Sequence, residues 1–426
     1  MKRIIRICYI ALTTLLPLQE LMAQESVSVR IRENGVERTD TIDLPKSMTY
    51  PLDSLLVDWK AKNYISVNHE CSTSAENPQF SDSVYIDRLS RMPVVMEMPY
   101  NEIVRACIDR YTGRLRNHVA FMLSACNFYI PIFEQALDAY DLPMELKYLP
   151  IIESALNPSA TSRAKARGLW QFMLKTGKIY GLESNSYVDD RCDPIKSTWA
   201  AARHLKDLYD IYKDWNLVIA AYNCGPGNVN KAIRRAGGKT DYWEIYNYLP
   251  RETRGYVPAF IAANYVMTYY CKHNICPMET NIPAATDTVM VSRNLHFEQV
   301  SDLCGVDLEQ LKSLNPQYKR NIIPGESQPY ALRLPQEAIS TFIELQDTIY
   351  NHRQQELFKN RRIVNVSDNS RKAVKGKGEL TYHRIRNGEN LGSIARRYGV
   401  TVRQIQQWNG MSNTRITAGK RLKIYR

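Results

Sequence analysis

From Asn101 to Tyr140 the apolar residues fall at helical spacing: Ile103, Val104, Cys107, Ile108 and Tyr111, then Val119, Met122, Leu123 and Cys126. Steps of three and four put such residues on one helix face, so the spacing predicts helices here. A new helix start follows at Asp141-Leu142-Pro143, with Asp as N-cap and Pro in the first turn. Pro150 sits inside that helix and is expected to kink or split it, and the helix should stop before Asn157-Pro158. Ser197 to Tyr212, Leu217 to Tyr222 and the apolar run Val257 to Tyr270 continue the helical pattern. Residues 96–279 therefore read as an all-α lobe. Residues 24–95 carry short alternating runs, such as Val27-Ser28-Val29-Arg30-Ile31-Arg32, between polar loops. They are expected to form an extended segment of unassigned role.

Beyond the lobe the pattern repeats. Phe297, Val300, Gly305-Val306, Leu311, Leu314-Asn315, Ile322 and Gly325 pair with Leu391, Ile394, Gly399-Val400, Ile405, Trp408-Asn409, Ile416 and Gly419, each at the same offset. Each unit starts and ends in a β-rich stretch around two short amphipathic helices, a βααβ order. The units are placed at 288–336 and 381–426, the first degenerate and bearing an insertion near Ser327 to Tyr330. Residues 337–380 join them as a helix and a basic, flexible linker.

Charge refines this division. The net charge is +12, yet residues 351–426 hold 18 Lys/Arg against 4 Asp/Glu, or +14, which leaves about −2 for the rest. The basic character belongs to the tail, where it suits an anionic polymer or surface. A nucleic-acid role would need aromatic residues interleaved with the basic ones, and this stretch has Phe358 and little else, so no nucleic acid is expected. At the amino terminus Lys2, Arg3 and Arg6 precede the apolar run Ile7 to Leu18, and Ala23 ends Leu21-Met22-Ala23. This is the pattern of a signal peptide over residues 1–23, so an exported, periplasmic or envelope location is expected. Cys8 lies too early in the run for a lipobox. The remaining Cys show no CxxC pair and no clustered His, so neither a metal nor another cofactor is expected.

The candidate chemistry lies in Glu153-Ser154-Ala155-Leu156-Asn157-Pro158, followed by Ser162 and Gly168-Leu169-Trp170-Gln171-Phe172-Met173. Glu153 ends an apolar stretch, and a carboxyl in an apolar wall has a raised pKa because burial disfavours its charge. Such an acid donates a proton near neutral pH, which glycosidic bond cleavage requires. The strip after it supplies a Gly for close backbone approach, an amide for sugar hydroxyls and apolar faces for sugar rings. Asp189, Asp190 and Asp193 could supply the second carboxylate that glycosidases usually carry, but read as solvated turn residues. Cys224 has no His nearby in sequence and reads as a small packed residue.

With Ala221-Tyr222-Asn223-Cys224-Gly225 and Thr253-Arg254-Gly255-Tyr256-Val257, these motifs stand in the order of the soluble lytic transglycosylase family, which the chain resembles. Trp170 and Cys224 depart from the residues usual there. The resemblance implies a mainly α, lysozyme-like lobe of the goose-type and transglycosylase kind, acting on peptidoglycan strands. It implies Glu153 as the single acid, then base, and a 1,6-anhydro product with no water consumed. By position, Ser162 is expected to hold the N-acetyl group, Gln171 and Met173 to line the cleft, Tyr222 and Tyr256 to hydrogen-bond around the reacting sugar or Glu153, and Asn223 to brace its loop. The repeats resemble LysM modules. That resemblance assigns glycan binding to Gly388, Glu389, Asn390, Leu391, Arg415 and Ile416. A hydrolytic muramidase on the same scaffold, or a wall-binding scaffold without activity, are the alternatives.

Overall fold

The computed structural model describes residues 26–33, 36–49, 51–52, 65–66, 76–280, 283, 285–358, 380–411, 414 and 416–425. The expected signal peptide lies outside them. The lobe is helical. Its helices are α1 (Asp82–Ser90), α2 (Glu102–Thr112), α3 (Arg116–Ala139), α4 (Leu149–Ser154), α5 (Leu174–Ile179), α6 (Pro194–Tyr212), α7 (Trp215–Cys224), α8 (Pro226–Arg235), α9 (Tyr242–Ile245), α10 (Arg251–Arg254) and α11 (Tyr256–Tyr269). Every residue from Tyr256 to Met267 is buried, so α11 is the axis around which the others pack. A helix apolar on all sides is stable only in such a place. The polar residues punctuate. Asn101 accepts from the backbone N–H groups of Ile103 and Val104 at the start of α2, and Asp193 from those of Ile195 and Lys196 at the start of α6.

Two expectations are corrected. Residues 24–95 are not simply extended: β1 (Ser26–Glu33) and β2 (Val36–Asp43) form an antiparallel hairpin, and α1 follows. Ile42, Leu44, Met48, Tyr85 and Leu89 enter the core of the lobe itself. The pair Tyr85 and Leu89, four apart, gave too short a periodic signal to stand out. Asp141 does not cap a helix: its φ is +52°, and the next turn, Met144–Tyr148, is 3₁₀ and follows Pro143. Pro150 does divide the segment, standing in the first turn of α4, where its missing N–H costs nothing.

The two repeats form separate small cores. In the first, strand Thr286–Val291 pairs antiparallel with Tyr330–Pro335 around helices Phe297–Cys304 and Leu308–Leu314. In the second, Leu380–Arg384 pairs with Arg421–Tyr425 around Leu391–Tyr398 and Val402–Trp408. The matched Asn residues do one job. Asn315 donates to the carbonyls of Leu311 and Arg333 and accepts from the Arg333 N–H; Asn409 does the same with Ile405 and Lys423. Each thus ties the second helix to the last strand. Gly305 and Gly399 end the first helices with φ of +67° and +65°. Helices Gln336–Glu344 and Gln346–Asn351 pack Ala338, Phe342, Ile349 and Tyr350 onto the first core, so that module continues past residue 336. It also docks on the lobe: Tyr187 and Val188 enter its core, the Asp189 N–H donates to the Gln317 carbonyl at 2.9 Å, and the Lys319 N–H to the Tyr187 carbonyl at 2.6 Å.

Candidate active site

Glu153 stands in the last turn of α4, whose Leu149, Ile151 and Ile152 are buried. Ala155 and Leu156 follow with φ of +50° and +61°, which stops the helix abruptly and leaves the Glu153 side chain at its end, facing a cleft. Ser154 ties this turn to the Gly-Leu-Trp strip, donating to the Leu169 carbonyl at 2.9 Å. Gly168 is required there. Its φ is +85°, and a Cβ would lie 1.7 Å from the Arg191 carbonyl oxygen. Trp170 is buried and donates through Nε1 to Thr198 Oγ1 at 2.9 Å, which makes it a packing residue.

A cleft of about 470 Å³ runs over Glu153 and brings together Ser162, Gln171, Met173, Tyr222, Asn223 and Tyr256. The Tyr256 hydroxyl donates to Glu153 Oε1. Tyr222 donates to the Trp170 carbonyl at 2.8 Å, so it fastens the strip to α7. Asn223 Oδ1 accepts from Thr253 Oγ1 at 2.8 Å, linking α7 to α10. Gln171 has a φ of +47° and donates through Nε2 to the Gly168 carbonyl at 2.9 Å. The Ser162 hydroxyl accepts from the Ala166 N–H at 3.0 Å. Met173 is 45% exposed, open to a ligand.

Burial pushes the Glu153 carboxyl up to about 8; the Tyr256 hydrogen bond opposes this, the Glu252 charge adds to it, and the Lys46 charge opposes it. A proton is therefore held on Glu153 at neutral pH. Burial also keeps the Tyr222 and Tyr256 hydroxyls protonated, well above the usual phenol range. His204 lines the cleft as well, and burial lowers it to about 4, leaving it neutral. Cys224 lines the cleft too, with its thiol pushed up by burial and so poor in thiolate.

The Asp cluster is not solvated, contrary to expectation. Asp189 is 1% exposed and Asp190 2%. Arg191 grips Asp189 through Nε and Nη2 at 2.9 Å each, with Arg167 at 3.1 Å and Lys319 at 3.5 Å, while Lys196 pairs with Asp190 at 3.0 Å. Burial opposes the charge of Asp189, yet Arg191, then Lys319 and Arg167, hold it below the usual carboxylate range. Asp189, Asp190 and Asp193 are absent from the cleft lining. Sequence reasoning also missed two charged residues that do line it, Lys46 and Glu252, 3.7 Å apart. Lys46 lay in a segment without a motif. Glu252 directly precedes Thr253-Arg254-Gly255-Tyr256, and that adjacency was the available signal.

In the second repeat, Gly388 turns with a φ of +83°. Glu389 accepts from His383 Nε2, the Arg386 N–H and Arg397 Nη1 at 2.7 to 2.9 Å. Asn390 caps the first helix, Leu391 is core, and Ile416 packs against that core. Arg415 lies outside the described residues. These side chains thus also build the module.

Residues 131–245 match the family described as Transglycosylase SLT domain, 285–351 the MltD LysM-like domain, and 383–424 the LysM domain. Over 333 residues the chain is 31% identical to membrane-bound lytic murein transglycosylase D of Escherichia coli K12, spanning 77% of this chain and 70% of that protein. The chain belongs to the lytic murein transglycosylase D family. This transglycosylase is a peptidoglycan lytic enzyme with LysM modules after a mainly α lobe. It is also 37% identical over 119 residues to a putative soluble lytic murein transglycosylase of Haemophilus influenzae, covering 26% of this chain and 20% of that one. The solved 70 kDa soluble lytic transglycosylase of Escherichia coli aligns over 35% of the chain and 26% of its own, at 26% identity and a TM-score of 0.30. Among the described residues no helix is long and apolar enough to cross a membrane.

Proposed function

We propose that this transglycosylase cuts the β-1,4 bond between N-acetylmuramic acid and N-acetylglucosamine, with Glu153 as general acid and then base. The observation that carries this is a carboxyl at the end of α4 that lines the cleft and accepts from the Tyr256 hydroxyl, where burial favours its protonated form. Glu153 gives its proton to the leaving glycosidic oxygen as the C1–O bond breaks, and the substrate's N-acetyl oxygen closes on C1. The Glu153 carboxylate then takes the proton of the C6 hydroxyl, whose oxygen bonds to C1 as the N-acetyl oxygen leaves. The products are a 1,6-anhydro end and a free 4-hydroxyl, and Glu153 is again protonated. An intramolecular hydroxyl competes well with water because effective molarities of oriented groups reach roughly 10⁵ M or more. Ser162 is assigned to the N-acetyl group, Gln171 and Met173 to the sugar faces, and Tyr222 and Asn223 to holding the cleft in shape.

Glu252 favours a second reading, hydrolysis, because it is a further carboxylate in the cleft. Digestion in ¹⁸O-labelled water separates the two. Cyclisation leaves muramic ends unlabelled and one water lighter; hydrolysis labels the reducing ends. Glu153→Gln keeps the size and removes the titrating proton, and should cost ~10²–10⁴-fold in rate. Retention of a tenth of the activity would remove Glu153 from its role. We assign glycan binding to the second module, around residues 386–391 and 415–416. Export with cleavage after Ala23 completes the reading, and predicts a mature chain beginning at Gln24.

A further inference from the structure

The N-terminal hairpin is fastened to the two elements that carry the site. Ser47 donates to the Ile152 carbonyl at 2.7 Å, one residue before Glu153. Arg251 donates to the Thr41 carbonyl at 3.2 Å and pairs with Asp43 at 3.1 Å. Gly255 meets the Asp43 carbonyl so closely that a Cβ would lie 2.4 Å from its oxygen. Tyr246 donates to Asp40 at 3.1 Å. The turn that follows the hairpin places Pro45 and Lys46 in the cleft lining with Glu153, and sets the Lys46 ammonium 3.7 Å from Glu252.

We infer that this segment is a working wall of the catalytic cleft, and that Lys46 and Glu252 are positioning residues whose opposed charges set the electrical field at Glu153. The inference rests on Glu153 being the acid. Among the described residues, the groups facing Glu153 are Tyr256 from α11, Tyr222 from α7, Glu252 from α10 and Lys46 from the turn after β2. Tyr222, Tyr256 and the cleft residue His204 are neutral near pH 7, so the charges acting there come from Lys46 and Glu252. Lys46 favours the carboxylate of Glu153 and Glu252 favours the acid, in agreement with the directions of their effects. Paired, they oppose each other. Split, each acts alone on Glu153, and even after the screening that their partial exposure brings, a nearby unit charge moves a neighbour's titration by a measurable amount. Both side chains are partly exposed, at 33% and 45%, so neutral replacements of similar size leave the packing intact.

The alkaline limb of kcat/KM against pH reports the proton on the free enzyme's acid. Lys46→Met leaves Glu252 unopposed, and the limb should move up by about 0.5–1 pH unit. Glu252→Gln leaves Lys46 unopposed, and the limb should move down by about as much. The double variant should return it close to the wild-type position, and Lys46→Arg should leave it there. Full-length proteins are assayed on purified glycan strands, with melting curves as a check of folding. Shifts in one direction, or uniform loss of activity with the limb unmoved, overturn the inference. Failure of the underlying reading looks different: Glu153→Gln would then keep an active enzyme with the same limb.

Discussion

Replacing Asp189 with Asn tests whether the buried acid cluster is structural or catalytic. The substitution keeps the shape and removes the charge that faces Arg191, Arg167 and Lys319. Arg191 is itself 8% exposed, so its guanidinium would stay buried without its partner. Breaking one side of a buried pair costs roughly 3–5 kcal/mol, mainly because the remaining charge is uncompensated. For a lobe of this size that is a fall in Tm on the order of 10 °C. The pH dependence has a definite sign. The folded-state pKa of Asp189 is depressed, so its stabilisation is complete above the ordinary Asp value of about 3.9 and fades as pH falls through the lower folded value. Melting curves of wild type and Asp189→Asn should therefore be far apart at pH 7 and converge towards pH 2. At 20 °C the variant should still cleave peptidoglycan strands at close to the wild-type rate. A Tm loss under 2 °C at pH 7, or a gap that persists unchanged into acid, would refute the buried-pair argument. A hundredfold loss of activity in folded protein would return Asp189 to the chemistry.

Gly168→Ala forces a Cβ into the Arg191 carbonyl and strains a positive φ, so it should lower Tm by several degrees and displace the Gln171 strip, read as a drop in both stability and kcat. Deleting residues 381–426 should weaken pelleting with insoluble peptidoglycan while cleavage of short soluble fragments continues; equal pelleting would end the binding role of the second module. Raising salt should weaken that pelleting only in part, because screening acts on the charges and not on hydrogen bonds to sugar.

Much of the lobe was legible because its signals are local. The spacing of Ile103, Val104, Cys107 and Ile108 is the periodicity of α2, and Val257 to Tyr270 could belong only in a core. The repeat was legible because each matched position holds a fixed task, as Asn315 and Asn409 do. The wall of the cleft was not, since Lys46 has meaning only beside Glu252, over two hundred residues later. Asp189, Asp190 and Asp193 looked like solvated turn chemistry for much the same reason. Of their neutralising cations, Arg167 and Lys319 come from distant stretches, while Lys196 stands six residues after Asp190 on α6. Ser162, Gln171, Met173, Tyr222, Asn223 and Tyr256, named from motifs, all line the cleft, but several of their hydrogen bonds hold the cleft together, which a motif cannot reveal.

The hairpin's seat on α10 closes a loop of 210 residues, from Thr41 to Arg251. Closing a flexible loop of that length costs about 5 kcal/mol in chain entropy, against a few hydrogen bonds and the burial of Ile42, Leu44 and Met48. Among the contacts around the cleft it should be one of the last to form and one of the first to lift. Helix α11 also packs on α2, α4 and α7, so lifting leaves a folded helical lobe with Glu153 exposed on one side and its pKa lowered by water, and the proton is lost near neutral pH. Activity and foldedness then part company: mild heat or denaturant should silence the enzyme while its helices stay protected from hydrogen exchange, and the amides of residues 40–48 should exchange ahead of the rest.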